Sequence, residues 1–535
     1  MISFTAKGLQ ASVSSRARPA PPLLVPLLEP PTRSAPRERR PQAPAPAGIA
    51  ARVEALATRR NALLLLGAAV LGALALFVLR PTYPNYDSYY TLLWGEELAA
   101  GRLPDYDVLR TPTPHPLATV VAAALSLSGD AADRVLVLLT LGAHLALLAL
   151  LFRLTQLLLG TLVALVAVAV LLTRTDLEFF TLRAIVDVPF LALVFAAAVL
   201  ELERPRRGLA VLVPLLLAGL LRPEAWVLSG AYVLWLWPRV GLRGFLAYGT
   251  LTTLAPLTWF AADWIVTGEP LYSLTSTREV AGQFQRQRTV GEALLLIPDY
   301  IGGNEKIVNV VAGGLGGLVA LWILRARAAL PLALAGIGIA VFLAIAAAGL
   351  SVIPRYLVIP SLVLNLCVAA ALAGWTLVRE PRARRVAIGV ALLTLALYAF
   401  RAPALFKDLQ KLNGQTFYVQ NQHRALKALV AEGRVASLLR SCAPVTVPTH
   451  SAIPVIRYQT GLGKERFEAS IAQQRPPERG LLLVGRSFNF EPAAARATIG
   501  ASSRSARRWW SNYPLSTFEP VAANAWWRVY ASGCG

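Results

Sequence analysis

The sequence predicts an all-α polytopic membrane protein with about ten or eleven transmembrane helices and a small C-terminal α/β domain on the outer face. Of the 535 residues, 56% are hydrophobic and only 15% are charged, which leaves too few polar residues to cover a soluble protein of this size. The apolar residues also form blocks close to the ~20 residues that a helix needs to cross a bilayer. The predicted spans are 62–79, 135–152, 157–172, 185–200, 245–265, 307–324, 328–350, 352–377 and 386–400, with a pair of shorter crossings between 207 and 239.

The net charge of +22 at pH 7 does not indicate a nucleic-acid partner. The arginines form short clusters between the apolar blocks, where basic residues set the orientation of membrane helices. In the predicted tracing these clusters fall on one side of the membrane, and Arg59 and Arg60 precede the first span. We therefore predict a multi-pass protein of the plasma (inner) membrane, with a cytoplasmic N-terminus and an extracytoplasmic C-terminal domain.

Three segments differ in composition. Residues 1–60 are rich in proline, alanine, serine and arginine, and we predict a disordered cytoplasmic arm. Residues 61–403 form the predicted transmembrane domain, in which residues 80–134 make the first outer loop. Residues 404–535 are polar and mixed, and their short apolar runs predict strands of a small extracytoplasmic domain.

Three cysteines are too few for a metal cluster or a disulfide-dense scaffold. Cys367 lies within an apolar block, where packing is its expected role. Cys442 precedes a predicted strand and Cys534 follows another, both in the region predicted to lie outside. Because disulfides persist in oxidising compartments, we predict one bond between Cys442 and Cys534.

The first outer loop carries two candidate site residues, Asp87 and Asp107. Asp87 follows the first span closely, in a segment with four tyrosines at positions 83–90. An interfacial aromatic belt explains the tyrosines but not the acid, which favours a functional role for Asp87. Asp105 and Asp107 form an Asp-x-Asp pattern that chance often supplies. For these two acids loop capping or solvation is favoured over a metal-binding role, and Asp107 is a candidate substrate-binding residue.

Five further candidates lie at or near membrane depth. Asp187 opens an apolar stretch, where a helix N-terminus favours an acid whatever its function. Arg222 and Glu224 sit at the midpoint of the short helix pair; charges at this depth are costly and usually functional, unless the two pair with each other. Arg355, followed by Tyr356, begins a late span as an interface anchor or a phosphate ligand. Glu224 and Tyr356 are candidate substrate-binding residues.

The order of these motifs resembles that of C-type glycosyltransferases, polytopic enzymes that take sugars from polyprenyl phosphates. The matching segments are YPNYDSYY from Tyr83, LRAIVDVPF from Leu182, LRPEAW from Leu221 and PRYL from Pro354. The resemblance extends over residues 62–400 and depends on the order and predicted membrane side of these segments.

The resemblance implies a role for each of four residues. Asp87 would act as general base on the acceptor hydroxyl, and Asp187 would position the acceptor. Arg222 and Arg355 would lie near the donor phosphate, where fixed guanidinium groups stabilise the charge that develops as the sugar leaves. A single displacement of this kind inverts the anomeric carbon.

The expected activity is therefore transfer of a hexose or pentose from a polyprenyl-phosphate donor to a glycan, lipid or protein. Membrane lipid is the other expected partner; no cofactor is indicated, and a requirement for a divalent metal stays open. The main alternative is a polytopic transporter or lipid flippase, in which the intramembrane charges would line a path. Transporters usually show internal repeats with broken helices in both halves, whereas the sequence has one short pair. A third hypothesis is an inactive relative that serves as a scaffold, against which Asp87 argues.

Overall fold

The computed structural model describes residues 48–470, 478–485 and 517–534. The first helices are α1 Ile49–Leu56, α2 Arg59–Leu79, α3 Tyr86–Ala99, α4 Pro116–Leu125, α5 Ala132–Leu159, α6 Thr161–Leu171, α7 Thr175–Leu182, α8 Asp187–Glu203 and α9 Leu209–Leu221. The next are α10 Glu224–Thr252, α11 Leu254–Thr267, α12 Tyr272–Gln283, α13 Val290–Leu324, α14 Ala329–Ala347, α15 Val358–Ala373, α16 Pro381–Val430, α17 Gly433–Ser441 and α18 Ile453–Thr460. The strands are β1 Val445–Val447, β2 Phe467–Ala469, β3 Gly480–Gly485, β4 Glu519–Ala523 and β5 Trp527–Ser532.

The predicted fold class is confirmed: a mainly helical protein with several long apolar helices ends in a small sheet. Within the described ranges, five helical segments are long and apolar enough to cross a membrane. The number is six when α7 and α8, which bend by 114° at their junction, count as one broken span. Some predicted spans take another form, because α6 and α9 are shorter apolar helices and the spans at 307–324 and 328–350 lie in one segment, Lys306–Ala347.

The largest apolar core is shared by α5, α6, α8, α9, α10 and α15. Beside it, α13 and α15 approach each other at backbone distance. A Cβ atom added at Gly313 would overlap the side chain of Leu364, and one at Gly316 would overlap the carbonyl oxygen of Cys367. Small residues permit such close helix contacts in membranes, where dispersion forces drive helix association. Glycine at these two positions therefore fixes how closely α13 packs on α15.

The predicted domain boundaries do not coincide with the ends of helices. The boundary predicted between residues 403 and 404 falls inside α16, which continues past Pro403 to Val430. The sequence changes there from apolar to polar, but a change of solvent does not interrupt backbone hydrogen bonds, so the helix continues. At the other end, residues 49–56 of the predicted disordered arm form α1, and residues 1–47 lie outside the described part.

The C-terminal part has the predicted α/β character. Its sheet has the strand order β2-β1-β3-β5-β4, in which β1 runs parallel to β2 and β3, and β5 runs antiparallel to β3 and β4. Cys442, just before β1, and Cys534, just after β5, are joined by a disulfide bond with their Cα atoms 5.3 Å apart. The bond connects the pair of cysteines that the sequence analysis selected.

The C-terminal part packs against α3, the helix that carries Asp87 in its first turn. Arg457 of α18 forms an ion pair with Glu97 at 3.7 Å, and Arg457 is buried. The ring of the next residue, Tyr458, lies 5.4 Å from that of Tyr89. These contacts on two turns of α3 hold the helix, and with it Asp87, against the C-terminal part.

Candidate active site

Breaks between helices place the candidate charges. Arg222 separates α9 from α10 with an extended backbone (φ −150°, ψ 132°), and Pro223 follows it. Ile353 is likewise extended (φ −137°, ψ 153°) before Pro354. A residue that precedes proline is pushed out of the helical region by the proline ring, so the sequence itself sets both breaks. Arg222 and Arg355 therefore project from helix ends rather than from lipid-facing helix surfaces.

Arg222 joins two acids in one buried ion cluster. Its Nη1 donates to Asp187 Oδ1, while its Nε donates to Glu224 Oε1 at 3.0 Å. Asp187 and Arg222 are only 2% and 5% exposed, so neither charge is solvated by bulk water. Two carboxylates therefore share one guanidinium group. Arg222 is held by both Asp187 and Glu224, whereas the sequence suggested a pair with Glu224 alone.

The ring of Tyr356 lies close to both arginines. The guanidinium carbon of Arg222 is 4.9 Å from the centre of the Tyr356 ring, and that of Arg355 is 5.7 Å from it. Arg222 also lies 5.4 Å from the ring of Phe190. Cations are attracted to aromatic faces within ~6 Å, so the rings help to keep both guanidinium groups in place.

These residues line a cavity within the helical region. One end is charged, through Asp187, Arg222, Glu224 and Arg355. The remaining wall is apolar and includes Phe190, Leu191, Leu228, Ile337, Val341, Val358 and Ile359. Three buried polar atoms at the charged end, Asp187 Oδ2, Glu224 Oε2 and Arg355 Nε, have no hydrogen-bond partner among the described residues. The cavity therefore combines unpaired polar atoms with an apolar surface inside the helical region.

Asp87 is half-buried in the first turn of α3 and does not line this cavity itself. Burial has the largest effect on the pKa of the Asp87 carboxyl and raises it above its ordinary value. The charge of Asp187 raises this pKa further, while Arg355 opposes the shift. Asp87 thus lies within electrostatic reach of two cavity residues, and its raised pKa makes it a better proton acceptor than an exposed aspartate.

His115 belongs to the surroundings of this site, although the sequence analysis did not include it among the candidates. Its ring meets that of Trp259 edge-on at 5.8 Å. Burial, followed by the charges of Arg222 and Arg355, lowers the pKa of His115 to about 3, so its imidazole is neutral at physiological pH. Because prolines flank it on both sides, the sequence favours a structural over a catalytic role for His115.

Arg286 was missed altogether. It lies in the turn between α12 and α13, and its backbone carbonyl accepts a hydrogen bond from Val352 N at 2.9 Å. Burial lowers the pKa of Arg286, the nearby Arg355 lowers it further, and Asp87 partly offsets both. No periodicity or motif marks this arginine, so only the approach of its turn to α3 and to the segment before α15 reveals it.

Asp107 lies apart from the ion cluster. Its side chain is 97% exposed and pairs with Lys464 at 3.1 Å, while Asp105 pairs with the same lysine at 2.8 Å. These ion pairs join the first outer loop to the C-terminal part. A substrate-binding role for Asp107 stays a prediction. In the described part of the chain, no three His, Cys, Asp or Glu side chains are grouped in a way that would hold a metal ion.

Comparison with known proteins finds likeness in structure alone. No family model and no curated protein matches the sequence. The crystal structure of ArnT from Cupriavidus metallidurans bound to undecaprenyl phosphate covers 89% of this chain and 98% of its own, with 12% identity and a TM-score of 0.50. The structure of the same protein in the apo state covers 88% and 98%, with 13% identity and a TM-score of 0.43.

The chain is thus a polytopic helical membrane protein whose fold is similar to that of ArnT, a protein crystallised with undecaprenyl phosphate. This confirms the fold expected from the sequence resemblance. At 12% identity the likeness concerns the fold alone.

Proposed function

We propose that the protein is a membrane glycosyltransferase that moves a sugar from a polyprenyl-phosphate donor to an extracytoplasmic glycan, lipid or protein, with inversion. The observation that carries this proposal is the cavity lined by charged side chains at one end and by apolar side chains over the rest of its wall. A polyprenyl phosphate has an anionic head on an apolar tail, so each part of the ligand meets a surface of matching chemistry. The fold shared with a protein crystallised with undecaprenyl phosphate supports the same donor class.

Arg355 is the group best suited to hold the donor phosphate. Arg222 already donates to Asp187 and Glu224, and its charge is offset there. Arg355 forms no such pair in the described residues, and its buried Nε has no partner. Arg222 instead orients the two acids, while Arg355 stabilises the negative charge that grows on the departing phosphate.

Asp87 is the proposed general base. In an inverting displacement, the acceptor oxygen bonds to the anomeric carbon while the bond from that carbon to the phosphate oxygen breaks. The phosphate keeps the electron pair, and the acceptor proton passes to the carboxylate of Asp87. Asp187 fixes the acceptor or the sugar through Oδ2, the oxygen that Arg222 does not use. Glu224 and Tyr356 complete the proposed binding site.

Replacement of Asp87 by asparagine tests this proposal. General-base contributions are typically ~100- to 10,000-fold, so Asp87→Asn is expected to lower turnover by such a factor while the protein still folds. The assay follows release of polyprenyl phosphate from lipid-linked sugars extracted from bacterial membranes, with purified protein in liposomes. Asp130→Asn is the matched control, because Asp130 belongs to the same outer loop and its side chain is 96% exposed.

Two outcomes would count against the proposal. Near-normal turnover in Asp87→Asn would remove Asp87 from the mechanism. Movement of the lipid between bilayer leaflets without release of its sugar would instead favour the transporter or flippase hypothesis.

The orientation of the chain is part of the proposal, because an extracytoplasmic acceptor requires an outward-facing site. We propose a protein of the plasma (inner) membrane, with a cytoplasmic N-terminus and an extracytoplasmic C-terminal part. An impermeant thiol reagent applied to intact cells is then expected to label Gln285→Cys and Arg434→Cys but not Arg207→Cys or Arg384→Cys. The reverse labelling pattern would place the candidate site on the cytoplasmic side.

A further inference from the structure

Two guanidinium groups meet one aromatic ring close to Asp87. The Cζ atoms of Arg110 and Arg286 each lie 4.6 Å from the centre of the Phe284 ring. Arg110 comes from the first outer loop, whereas Phe284 and Arg286 belong to the turn between α12 and α13. Arg286 also interacts electrostatically with Asp87. The tertiary fold thus brings two cations from distant parts of the chain beside the proposed base.

Neither arginine forms an ion pair with an acid within the described ranges. Arg110 Nη1 contacts His450 Nδ1 at 3.2 Å, and burial together with the nearby Arg110 lowers the pKa of His450 to about 3. His450 is therefore neutral and supplies no counter-charge. Burial lowers the pKa of both arginines, and the positive charge of Arg286 lowers that of Arg110 further. Two half-buried cations that repel each other would be stabilised by a shared anion.

The backbone at this cluster is held in an unfavourable conformation. Arg110 has φ 54° and Gln285 has φ 53°, in the left-handed region that residues with a Cβ rarely occupy. Arg110 itself contacts the ring of Phe284, and Gln285 directly precedes Arg286, the second arginine at this ring. Such conformations persist where surrounding structure imposes them, and they concentrate at binding and catalytic sites.

Aromatic rings complete the cluster. The ring of His450, from the C-terminal part, lies 5.2 Å from that of Tyr86 and 6.2 Å from that of Phe284. Tyr86 directly precedes Asp87 in α3, so this aromatic surface begins one residue from the proposed base. Three separate segments therefore contribute to one surface that carries both positive charge and flat apolar faces.

We infer that Arg110, Arg286, Phe284 and His450 form the acceptor subsite, and that it selects an acceptor carrying a phosphate or carboxylate near the reacting hydroxyl. This inference rests on the proposed transferase function. The planar fork of arginine binds either anion through two hydrogen bonds, which gives both affinity and orientation. The anion would then place the hydroxyl beside Asp87, while Arg355 remains for the donor phosphate.

The test uses the full chain in phosphatidylcholine nanodiscs, with undecaprenyl phosphate added so that the donor-phosphate site is occupied. Glucose 6-phosphate, glucuronate and glucose are then titrated as probes. The first two distinguish a phosphate from a carboxylate, and glucose is expected to bind at least about tenfold more weakly, because it cannot form charge-assisted hydrogen bonds.

Four variants of the cluster and one control variant test whether these arginines bind the anion. Arg110→Gln and Arg286→Gln are each expected to weaken binding of the anionic probe ~10-fold, or ~1.4 kcal/mol. Arg288→Gln is the matched control, since Arg288 lies in the same turn, is exposed, and donates only to the carbonyls of Gln285 and Gln287. Arg110→Lys and Arg286→Lys keep the charge and are expected to give intermediate affinities, because an ammonium lacks the planar fork.

Equal affinity for glucose and both anions would overturn the inference, as would an equal loss of binding in Arg288→Gln. Loss of undecaprenyl phosphate binding in Arg286→Gln would assign that arginine to the donor and overturn it too. Failure of the proposed function has a different signature, in which the unaltered protein binds no undecaprenyl phosphate and releases none from lipid-linked sugars. Normal donor consumption without preference for an anionic sugar would defeat only the acceptor subsite.

Discussion

Removal of Arg222 is expected to destabilise the protein, beyond any effect on catalysis. Arg222→Ala would leave Asp187 and Glu224 buried without the cation that they share. The side chains of the two acids are only 2% and 10% exposed, so water cannot replace the lost partner. Breaking a buried ion pair from one side costs ~3–5 kcal/mol, and two abandoned carboxylates place this variant at the upper end. Such a loss is a large part of the free energy of unfolding of a typical protein, ~5–15 kcal/mol.

The assay compares thermal unfolding of detergent-solubilised variants with their binding of undecaprenyl phosphate. Arg222→Ala is expected to unfold at a clearly lower temperature, and Arg222→Lys at an intermediate one, since an ammonium cannot reproduce the contacts to both acids. The triple variant Arg222→Met, Asp187→Asn, Glu224→Gln removes the charges together and is expected to recover most of the lost stability while remaining inactive.

A normal unfolding temperature in Arg222→Ala, combined with lost lipid binding, would refute this reasoning. It would show that the charge of Arg222 serves the donor phosphate rather than the two acids. Equal destabilisation in the triple variant would also contradict it, because no unpaired charge remains there.

Three further predictions follow from packing, titration and covalent structure. Burial raises the pKa of Asp87 in the folded protein above its ordinary 3.8. The carboxyl group therefore favours the folded state below pH 3.8, and this contribution is lost as the pH rises through the raised pKa. Asp87→Asn should raise thermal stability at neutral but not at acid pH, and the proposed transferase activity should fall as the pH drops through the same raised pKa. Gly316→Ala would overlap a backbone carbonyl of α15 and is expected to cost ~1–3 kcal/mol in thermal unfolding, whereas Gly314→Ala, with open space around it, should be neutral or slightly stabilising. Cys442→Ser removes a disulfide bond that spans 92 residues and should lower the stability of the C-terminal part by ~2–4 kcal/mol, measured as faster digestion by protease. The unaltered protein should be digested equally fast once its disulfide bond is reduced. Free thiols at Cys442 and Cys534 in protein from native membranes would contradict the bond.

The sequence resemblance anticipated much of the candidate site in residue type but not in arrangement. Asp187, Arg222 and Arg355 were selected as charges at helix ends, and the structure places all three around one cavity. The sequence analysis considered a pairing of Arg222 with Glu224. The structure shows this pair and adds a second one, between Arg222 and Asp187. Asp107 was selected from a short pattern; its side chain pairs with Lys464, and its substrate-binding role stays a prediction. A two-residue pattern carries no information about which distant side chain will meet it.

By itself, the sequence determined that this is a polytopic membrane protein with a small C-terminal α/β part. Apolar blocks of bilayer length, and prolines that force helix breaks beside Arg222 and Arg355, are local properties that act wherever the helices finally pack. Only the tertiary structure decided that Arg222 meets Asp187, 35 residues earlier, and that Arg110 and Arg286 share the ring of Phe284. Such pairings depend on the rotation and crossing of packed helices, which many side chains set together and no local pattern records.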